Sequence, residues 1–257
     1  MIEKKEKKET VQALDRGLRI LDALMESESA LGVNALAKQQ GITPSAAFRI
    51  LKTLEQGGWV FQCEDDKYIP GEKLTYVRGH AKLLTALSEV AYPVMAALSE
   101  KEKLPMNLAV REGQRFFVLQ QSRSGRYVDF VAPVGSELPV HASAGGKILL
   151  SELTENLRDD ILDRTEFFKM TERTIITKEA FLEELNRVRQ KGYALDLFES
   201  LDYTCCIGVP VRGKDGEILA ALSFSGIAGV KGEQELTAYL PELKEAAETI
   251  RARLFEH

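Results

Sequence analysis

The residues GITPSAAFRILKTLEQGGWV, Gly41 to Val60, carry their own punctuation. Thr43 can cap a helix with its hydroxyl, Pro44 suits a first helical position where no N–H is required, and Gly57 with Gly58 can adopt the left-handed conformation that ends it. The spacing predicts a helix over Pro44–Gln56. Ala47, Ile50, Leu51 and Leu54 fall at i, i+3, i+4 and i+7 and form its core stripe. The opposite stripe is Ser45, Arg49, Lys52 and Gln56, with Ala46 and Thr53 beside it.

A polar stripe of this kind is a solvated surface on most amphipathic helices, but the flanking sequence points elsewhere. Upstream, a helix is expected from about Thr10 to Met25, with Leu14, Leu18, Leu21 and Met25 at helical spacing. SESALG breaks it, and a short helix over Val33–Gln40 follows, with Gly32 as a weak N-cap and Gly41 as its stop. Downstream, Trp59–Cys63 and Lys67–Pro70 are β-rich and separated by the polar Glu64-Asp65-Asp66, which reads as a hairpin. Three short helices and a hairpin outline a winged helix-turn-helix. A recognition helix inserts its N-terminal end into the major groove, where small residues permit close approach and Arg can pair with guanine N7 and O6. The candidate DNA-binding residues are therefore Thr43, Pro44, Ser45 and Ala46 at the tip, Arg49 for a base, Lys52 for a phosphate and Lys67 as the useful wing cation. Glu64, Asp65 and Asp66 would repel phosphate. The Lys4 to Lys8 run, offset by Glu3, Glu6 and Glu9, reads as a solvated tail.

The whole chain is compatible with this. Its 257 residues, 44% hydrophobic and 28% charged, can bury a sizeable core, and a prior of roughly 150 residues per domain favours two domains. No apolar run near the ~18 residues of a membrane span stands out, and MIEKKEKKET lacks the apolar segment of a signal peptide, so a cytoplasmic chain with no membrane partner is expected. Cys63, Cys205 and Cys206 form no disulfide framework, and CxxC and HExxH are absent, so neither a metal nor a cofactor is expected. Net charge is −5. Residues 1 to 78 hold twelve Lys/Arg and twelve Asp/Glu, so the other 179 residues carry the whole acidic excess, which leaves the N-terminal third as the place for DNA.

Beyond the hairpin, Glu72 to Thr85 reads as a helix with Leu74, Val77, Ala81 and Leu84 on one stripe. A second helix is expected through Glu89 to Lys101, with Pro93 at a kink or in its first turn. From Pro105 the period becomes that of strands: MNLAVR and RFFVLQQ flank Glu112-Gly113, and YVDFVA adds a third run. Leu138 to Ser151 is a loop entering a helix, Lys178–Lys191 is another helix, and YALDL, CCIGVPVR and EILAALSFSG are strands. The last two are joined by the hairpin signal Gly213 to Gly216. A helix over 234–254 closes the chain. This order suggests an α+β domain with a largely antiparallel sheet.

Alternation puts Cys205, Ile207, Val209 and Val211 on one face and Cys206, Gly208 and Pro210 on the other. In the next strand Ile218, Leu222 and Phe224 oppose Leu219, Ala221, Ser223 and Ser225. Both strands thus pair a bulky apolar face with a face of small or weakly polar residues, which can make room for a ligand. A helix starting near Ser143 in HASAGGK would offer its free N–H groups and positive end to a carboxylate; alternatively, Gly145 and Gly146 only permit close packing.

VQALDRGLRILDAL, LAKQQGITPSAAFRILKTLEQGGWV, KYIPG, LPVHASAGGKILL and GVPVRGKDGEILAALSFSG, in this order and spacing, resemble the IclR family of bacterial transcriptional regulators. The resemblance implies a winged helix-turn-helix over residues 1–71, a linker helix over 72–86, and an effector-binding and oligomerisation domain over 87–257 with a GAF-like or profilin-like fold. It implies homodimers, in some members paired as homotetramers, acting on palindromic operators in double-stranded DNA under the control of a small organic acid. Carried onto this chain, the ligand-contacting positions match Ala144, Gly145, Asp196, Cys206, Ser223 and Ser225, and the apolar wall matches Tyr127, Phe130, Leu138 and Thr204. Two aromatics and a threonine stand where small-acid-binding relatives carry aliphatic residues. That favours a larger or aromatic acid over glyoxylate or pyruvate. Asp196 either accepts hydrogen bonds from the ligand or caps a surface turn, and beside a bound acid it needs a proton or hydrogen bonds.

The rival class is an enzyme with an accessory helix-turn-helix. HASAG misses a GxSxG elbow because His141 occupies the first glycine position, and AGGK lacks the rest of a P-loop. His141 is too close in sequence to Ser143 for an assumed catalytic pair and reads as a structural residue bonded to its neighbours. No catalytic residue is assigned. A ligand-free DNA-binding protein is the other alternative, and repressor is taken ahead of activator.

Overall fold

The computed structural model describes residues 11–256 apart from Glu28, Glu64, Tyr127, Val128, Phe130, Val131, Ala228, Val230 and Lys231, and apart from the side chains at 76–78. The expectations placed on Lys4 to Lys8, Glu64, the Val77 side chain and most of YVDFVA lie outside the described residues. Asp129 and Ala132 of that run are not in a strand. The chain divides into two units, Met1–Leu83 and Leu84–His257.

The first unit runs α1 (Gln12–Glu26), β1 (Leu31–Gly32), α2 (Val33–Gln40), α3 (Pro44–Gln56), β2 (Val60–Gln62) and β3 (Lys67–Pro70). Its core is Ile20 and Leu24 from α1, Leu36 and Ala37 from α2, Ala47 and Leu51 from α3, and Val60, Tyr68 and Leu74. The start of α3 follows its punctuation: Thr43 Oγ1 accepts the Ala46 N–H at 3.3 Å, a cap worth about 1 kcal/mol. Gly41 and Gly58 take the left-handed conformation, with φ of 62° and 73°. β2 and β3 pair antiparallel, and the two-residue β1 joins β3 on its other side, a third strand too short to announce itself in the sequence.

The inward face of α1 differs from the expected one. Gly17, Ile20, Leu21 and Leu24 are buried, whereas Leu14 is 62% and Leu18 53% exposed. Two apolar stripes share this helix, and packing against α3 selects the one containing Gly17, where an added Cβ would lie 3.7 Å from Ile50 Cγ2.

The two helices expected across residues 72–101 are one, α4 (Glu72–Glu102), with Pro93 inside it. Ala86, Leu87 and Ser88 contain no helix breaker, and a proline removes only one intrahelical donor. Among the described residues α4 is also the one helix long and apolar enough to cross a membrane, although its charged residues leave no uninterrupted apolar run of that length in the sequence. Leu87, Ala91 and Met95 direct that apolarity into the core of the second unit.

The second unit continues with β4 (Met106–Glu112), β5 (Arg115–Ser122), α5 (Ala144–Ser151), α6 (Glu155–Asp163), α7 (Lys178–Lys191), β6 (Ala194–Leu197), β7 (Cys205–Arg212), β8 (Ile218–Ile227), α8 (Glu233–Thr237) and α9 (Leu240–Phe255). Five strands form one antiparallel sheet in the order β5-β4-β8-β7-β6. On one face, α4 and α9 cover Met106, Leu108, Ile207, Val209, Leu222 and Phe224. On the other, α5, α6 and α7 bring Ile148, Leu162, Phe181 and Leu185 against Ala109, Ala194 and Ala221. The expected closing helix is split, because Pro241 starts α9 after a break at Ala238 and Tyr239. Ile218 packs with the α5 side rather than with Leu222 and Phe224, since a bulge between Val211 and Arg212 shifts the pairing there.

The glycine of KYIPG has a steric reason. A Cβ on Gly71 would lie 2.6 Å from the Gly58 carbonyl oxygen and 2.8 Å from Trp59 C, at the junction where Gly71 N donates to Trp59 O at 2.9 Å. Gly71→Ala should therefore destabilise the first unit by about 1–3 kcal/mol. Denaturant unfolding followed by Trp59 fluorescence checks it, and an unchanged midpoint would show that the junction yields freely.

Candidate functional site

On α3, Ser45 and Arg49 are exposed beside the capped N-terminus, and Ala46 is half-buried. Phe48, absent from the sequence-based candidates, stands 44% exposed next to Arg49. The two lysines expected to face phosphate have partners. Lys52 Nζ donates to Glu55 Oε2 at 2.7 Å and Gln62 Oε1 at 2.9 Å, and it sits 5.8 Å from the Phe48 ring centroid. Gln62 passes the chain on to Asp66 at 2.9 Å, so Lys52 ties helix to wing. Lys67 Nζ lies 2.7 Å from Asp65. Their carboxylate hydrogen bonds raise both lysine pKa values. The Lys67–Asp65 pair is solvent-exposed and the Lys52–Glu55 pair half-exposed, so both are cheap to break and a phosphate could displace the carboxylates.

In the second unit the small face of the sheet forms a floor. In register, Asn107 of β4 lies opposite Ser223 of β8, Ser223 opposite Gly208 of β7, and Gly208 opposite Ala194 of β6. α5 ends on this floor. Ser143 Oγ accepts the Gly146 N–H at 3.1 Å, and the first intrahelical bond runs from Lys147 N to Ser143 O at 3.1 Å. Ala144 and Gly145 thus hold amides ahead of that bond, at the positive end of the helix. Gly146 cannot be replaced there, since its Cβ would lie 2.5 Å from Val140 Cα.

Between floor and helix lies a cavity of about 440 Å³. Leu138, Ala144, Gly145, Asp196, Thr204, Cys206, Ser223 and Ser225 all line it; Tyr127 and Phe130 lie outside the described residues. Sequence reasoning missed Asn107, Asp129, Ser200, Met170 and Leu201, which also line it. Asn107 had a signal available, its position alternating with Ala109 opposite the serines of β8. The others come from loops with no period to read.

Asp196 caps a turn as one of its expected roles supposed, but the turn is buried, not at the surface. Asp196 is 1% exposed and accepts from Glu199 N at 2.8 Å, Ser200 N at 3.3 Å and the Ser200 hydroxyl. Burial raises its pKa, and the Ser200 and Glu199 donors, with the charge of Lys147, oppose that. Phe198 inside the turn takes φ of 63°, an uncommon conformation for an aromatic residue. It is clamped there: Thr171 donates to Phe198 O at 2.7 Å and Thr174 to Glu199 O at 2.7 Å.

The remaining clamp is Lys147, whose side chain is fully buried. Its ammonium reaches Glu199 Oε1 at 2.6 Å, Leu195 O at 2.8 Å and Glu184 Oε1 at 3.4 Å. Burial raises the Glu199 pKa, Lys147 draws it down, and Asp196 pushes it up. Burial also lifts the Cys206 thiol to about 12, so at neutral pH it is a weak hydrogen-bonding group rather than a nucleophile.

His141 is buried with Nε2 3.0 Å from Phe168 O, packed on Phe167 and Phe168. Its partner is distant in sequence, not a neighbour, and burial holds its pKa down. The Ser143 hydroxyl caps α5. Among the described residues no group of three or more His, Cys, Asp or Glu could hold a metal ion.

Residues 83–252 match the family described as Bacterial transcriptional regulator IclR C-terminal, and residues 13–62 match the IclR helix-turn-helix domain. The HTH-type transcriptional repressor AllR of Salmonella typhi is 30% identical over 244 residues, 95% of this chain and 90% of that one. The crystal structure of the Thermotoga maritima IclR superposes with a TM-score of 0.62 at 25% identity, over 95% of this chain and 99% of that one. An IclR homolog from Microbacterium hydrocarbonoxydans, complexed with 4-hydroxybenzoate, superposes with a TM-score of 0.62 at 24% identity, over 95% and 100%.

Two variants test the electrostatics. Lys147→Met leaves Glu199 buried without its cation and should cost about 3–5 kcal/mol in urea unfolding. A carboxyl held above its unfolded pKa gives stability that is present below about pH 4 and lost as pH rises through the native value. Asp196→Asn stays neutral throughout, so its stability relative to the parent should improve as pH rises from about 4 to 8. A pH-independent difference would show that burial does not dominate at Asp196.

Proposed function

The chain belongs to the IclR family of bacterial transcriptional regulators, and from that premise we propose how its parts divide the task. Residues 1–71 bind DNA, residues 72–86 link, and residues 87–257 bind the effector and associate. Ser45 and Ala46 approach the major groove with Thr43 and Pro44 at the helix tip, Arg49 reads a base, and Lys52 and Lys67 exchange their carboxylate partners for phosphates. The protein acts in the cytoplasm as a homodimer on a palindromic operator. The exposed Leu14 and Leu18 on α1, with Val11 just before it, offer a further apolar surface for such association in the first unit. Repression is favoured by the likeness to a repressor over nearly the whole chain.

One observation carries the effector reading: the N-terminus of α5, with the Ala144 and Gly145 amides, abuts a cavity of about 440 Å³ floored by Ser223 and Ser225. A small organic acid fits there with its carboxylate at the helix end, and the 4-hydroxybenzoate complex of a structural neighbour is consistent with that class. We read the chain as a regulator and not a catalyst, because the Ser143 hydroxyl caps a helix and His141 is held by Phe168 O. Effector binding shifts the population between two arrangements of the dimer, and the linker helix changes the spacing of the two recognition helices.

Gel-shift titration against the DNA upstream of its own gene tests the reading role. Arg49→Ala should weaken specific binding by about 1–3 kcal/mol, or roughly five- to 150-fold, with unchanged melting temperature. Retained discrimination between specific and random DNA would remove Arg49 from that role.

A further inference from the structure

The charge inventory of the cavity is unusual for an anion site. Among the described residues lining it there is no Lys, Arg or His, yet there are two carboxylates, Asp129 and Asp196, and a buried amide, Asn107. Asn107 is only 8% exposed. Strand alternation sends Met106 and Leu108 into the opposite core and puts Asn107 on the cavity face with Ala109. Its Nδ2 donates to Ser225 Oγ at 3.0 Å, and Ser225 in turn bonds Cys206. Asn107 Oδ1 has no partner among the described residues.

A buried acceptor without a partner is costly, by the full desolvation of the group, and native proteins rarely leave one. The acceptors here also stand apart: Asn107 on β4, Asp129 beyond β5 and Asp196 on β6. Asp129 already accepts from Ser124 N at 2.9 Å and from the Ser124 hydroxyl, and Asp196 from Ser200 and Glu199. Each carboxylate retains lone pairs beyond these bonds. A chain of hydroxyls carries a donor for each of several acceptors spread over separate elements. An aromatic or aliphatic acid without a hydroxyl would bury Asn107 Oδ1 without a donor.

We infer that the acid this cavity takes is polyhydroxylated, an aldonic acid or close chemical kin, with its carboxylate at the Ala144 and Gly145 amides and its hydroxyls on Asn107, Asp129 and Asp196. This rests on the effector reading above and narrows it. The apolar side chains of Leu138, Met170 and Leu201, on the cavity wall, then meet the C–H edges of the ligand. Sites built around hydrogen-bonding partners for a substrate hydroxyl discriminate strongly against analogues that lack it.

The test is calorimetry on the full chain with a panel of aldonic acids that includes D-gluconate, against hexanoate, 4-hydroxybenzoate and a zwitterionic amino acid, L-leucine. An aldonate should bind at least about tenfold tighter than hexanoate. Asn107→Leu should remove most of that preference, and Asp129→Asn, a milder change, should reduce it in the same direction at parental melting temperature. Hexanoate, 4-hydroxybenzoate or L-leucine binding as tightly as every aldonate would overturn the hydroxylated class and leave the effector site standing. Failure of every compound to bind would remove the effector reading, and this inference with it.

Discussion

The ammonium of Lys147, itself fully buried, is held by the Glu199 carboxylate from the turn after β6, the Leu195 carbonyl of β6 and the Glu184 carboxylate of α7. An isolated buried cation would be prohibitively costly, so these partners must be in place together. Their meeting point fixes three things: the N-terminus of α5, the end of β6 and the turn from Asp196 to Ser200. All three bound the cavity. The Phe198 backbone, in its left-handed conformation, is held by the same turn and by Thr171 and Thr174. The geometry of the cavity is therefore set from behind, by charges that do not line it.

The sheet supplies the complementary constraint. Its strands must present bulk to α4 and α9, and the period of two leaves their other residues to face α5. Where those residues are Gly208, Ala194, Ser223 and Ala109, their short side chains leave space beside the N-terminus of α5, and a cavity remains. Gly145 makes the approach close: an added Cβ would stand 3.2 Å from Ala109 Cβ and 3.3 Å from Leu138 Cδ1. Small residues thus act in two ways, letting α5 approach the sheet while leaving room beside its N-terminus.

Much of this was legible in the chain because the signals were local. α3 and α7 begin and end at the residues their caps specify, and the two faces of β7 follow from alternation alone. The failures share a physical cause, which is tertiary choice between locally equivalent options. α1 carries two apolar stripes, and only packing against α3 decides between Leu14 and Ile20. Pro93 permits either a boundary or a continuous helix, and the core around Leu87 and Met95 selects continuity. Ile218 obeys alternation until a bulge moves it. In the cavity, motif-bearing positions were identifiable, but Asn107, Met170 and Leu201 become neighbours only through the fold, and the partners of Lys147 come from two segments, α7 and β6 with its following turn.

In the proposed dimeric regulator, the charge balance of the DNA-binding head decides how strongly the two units must cooperate. The first 78 residues balance twelve cations against twelve acids, and Lys52 and Lys67 must give up Glu55 and Asp65 before they can meet phosphate. The counterion-release contribution to DNA affinity scales with the phosphates neutralised, so it is modest for one such head. Affinity then depends on two heads engaging at once, where the second contact is intramolecular and sensitive to spacing. A head pair weakly bound individually loses most of its affinity when that spacing fails. A coupling of about 1–3 kcal/mol from a small effector is enough to act as a switch under those conditions, whereas a strongly cationic head would remain on DNA regardless of the state of its cavity.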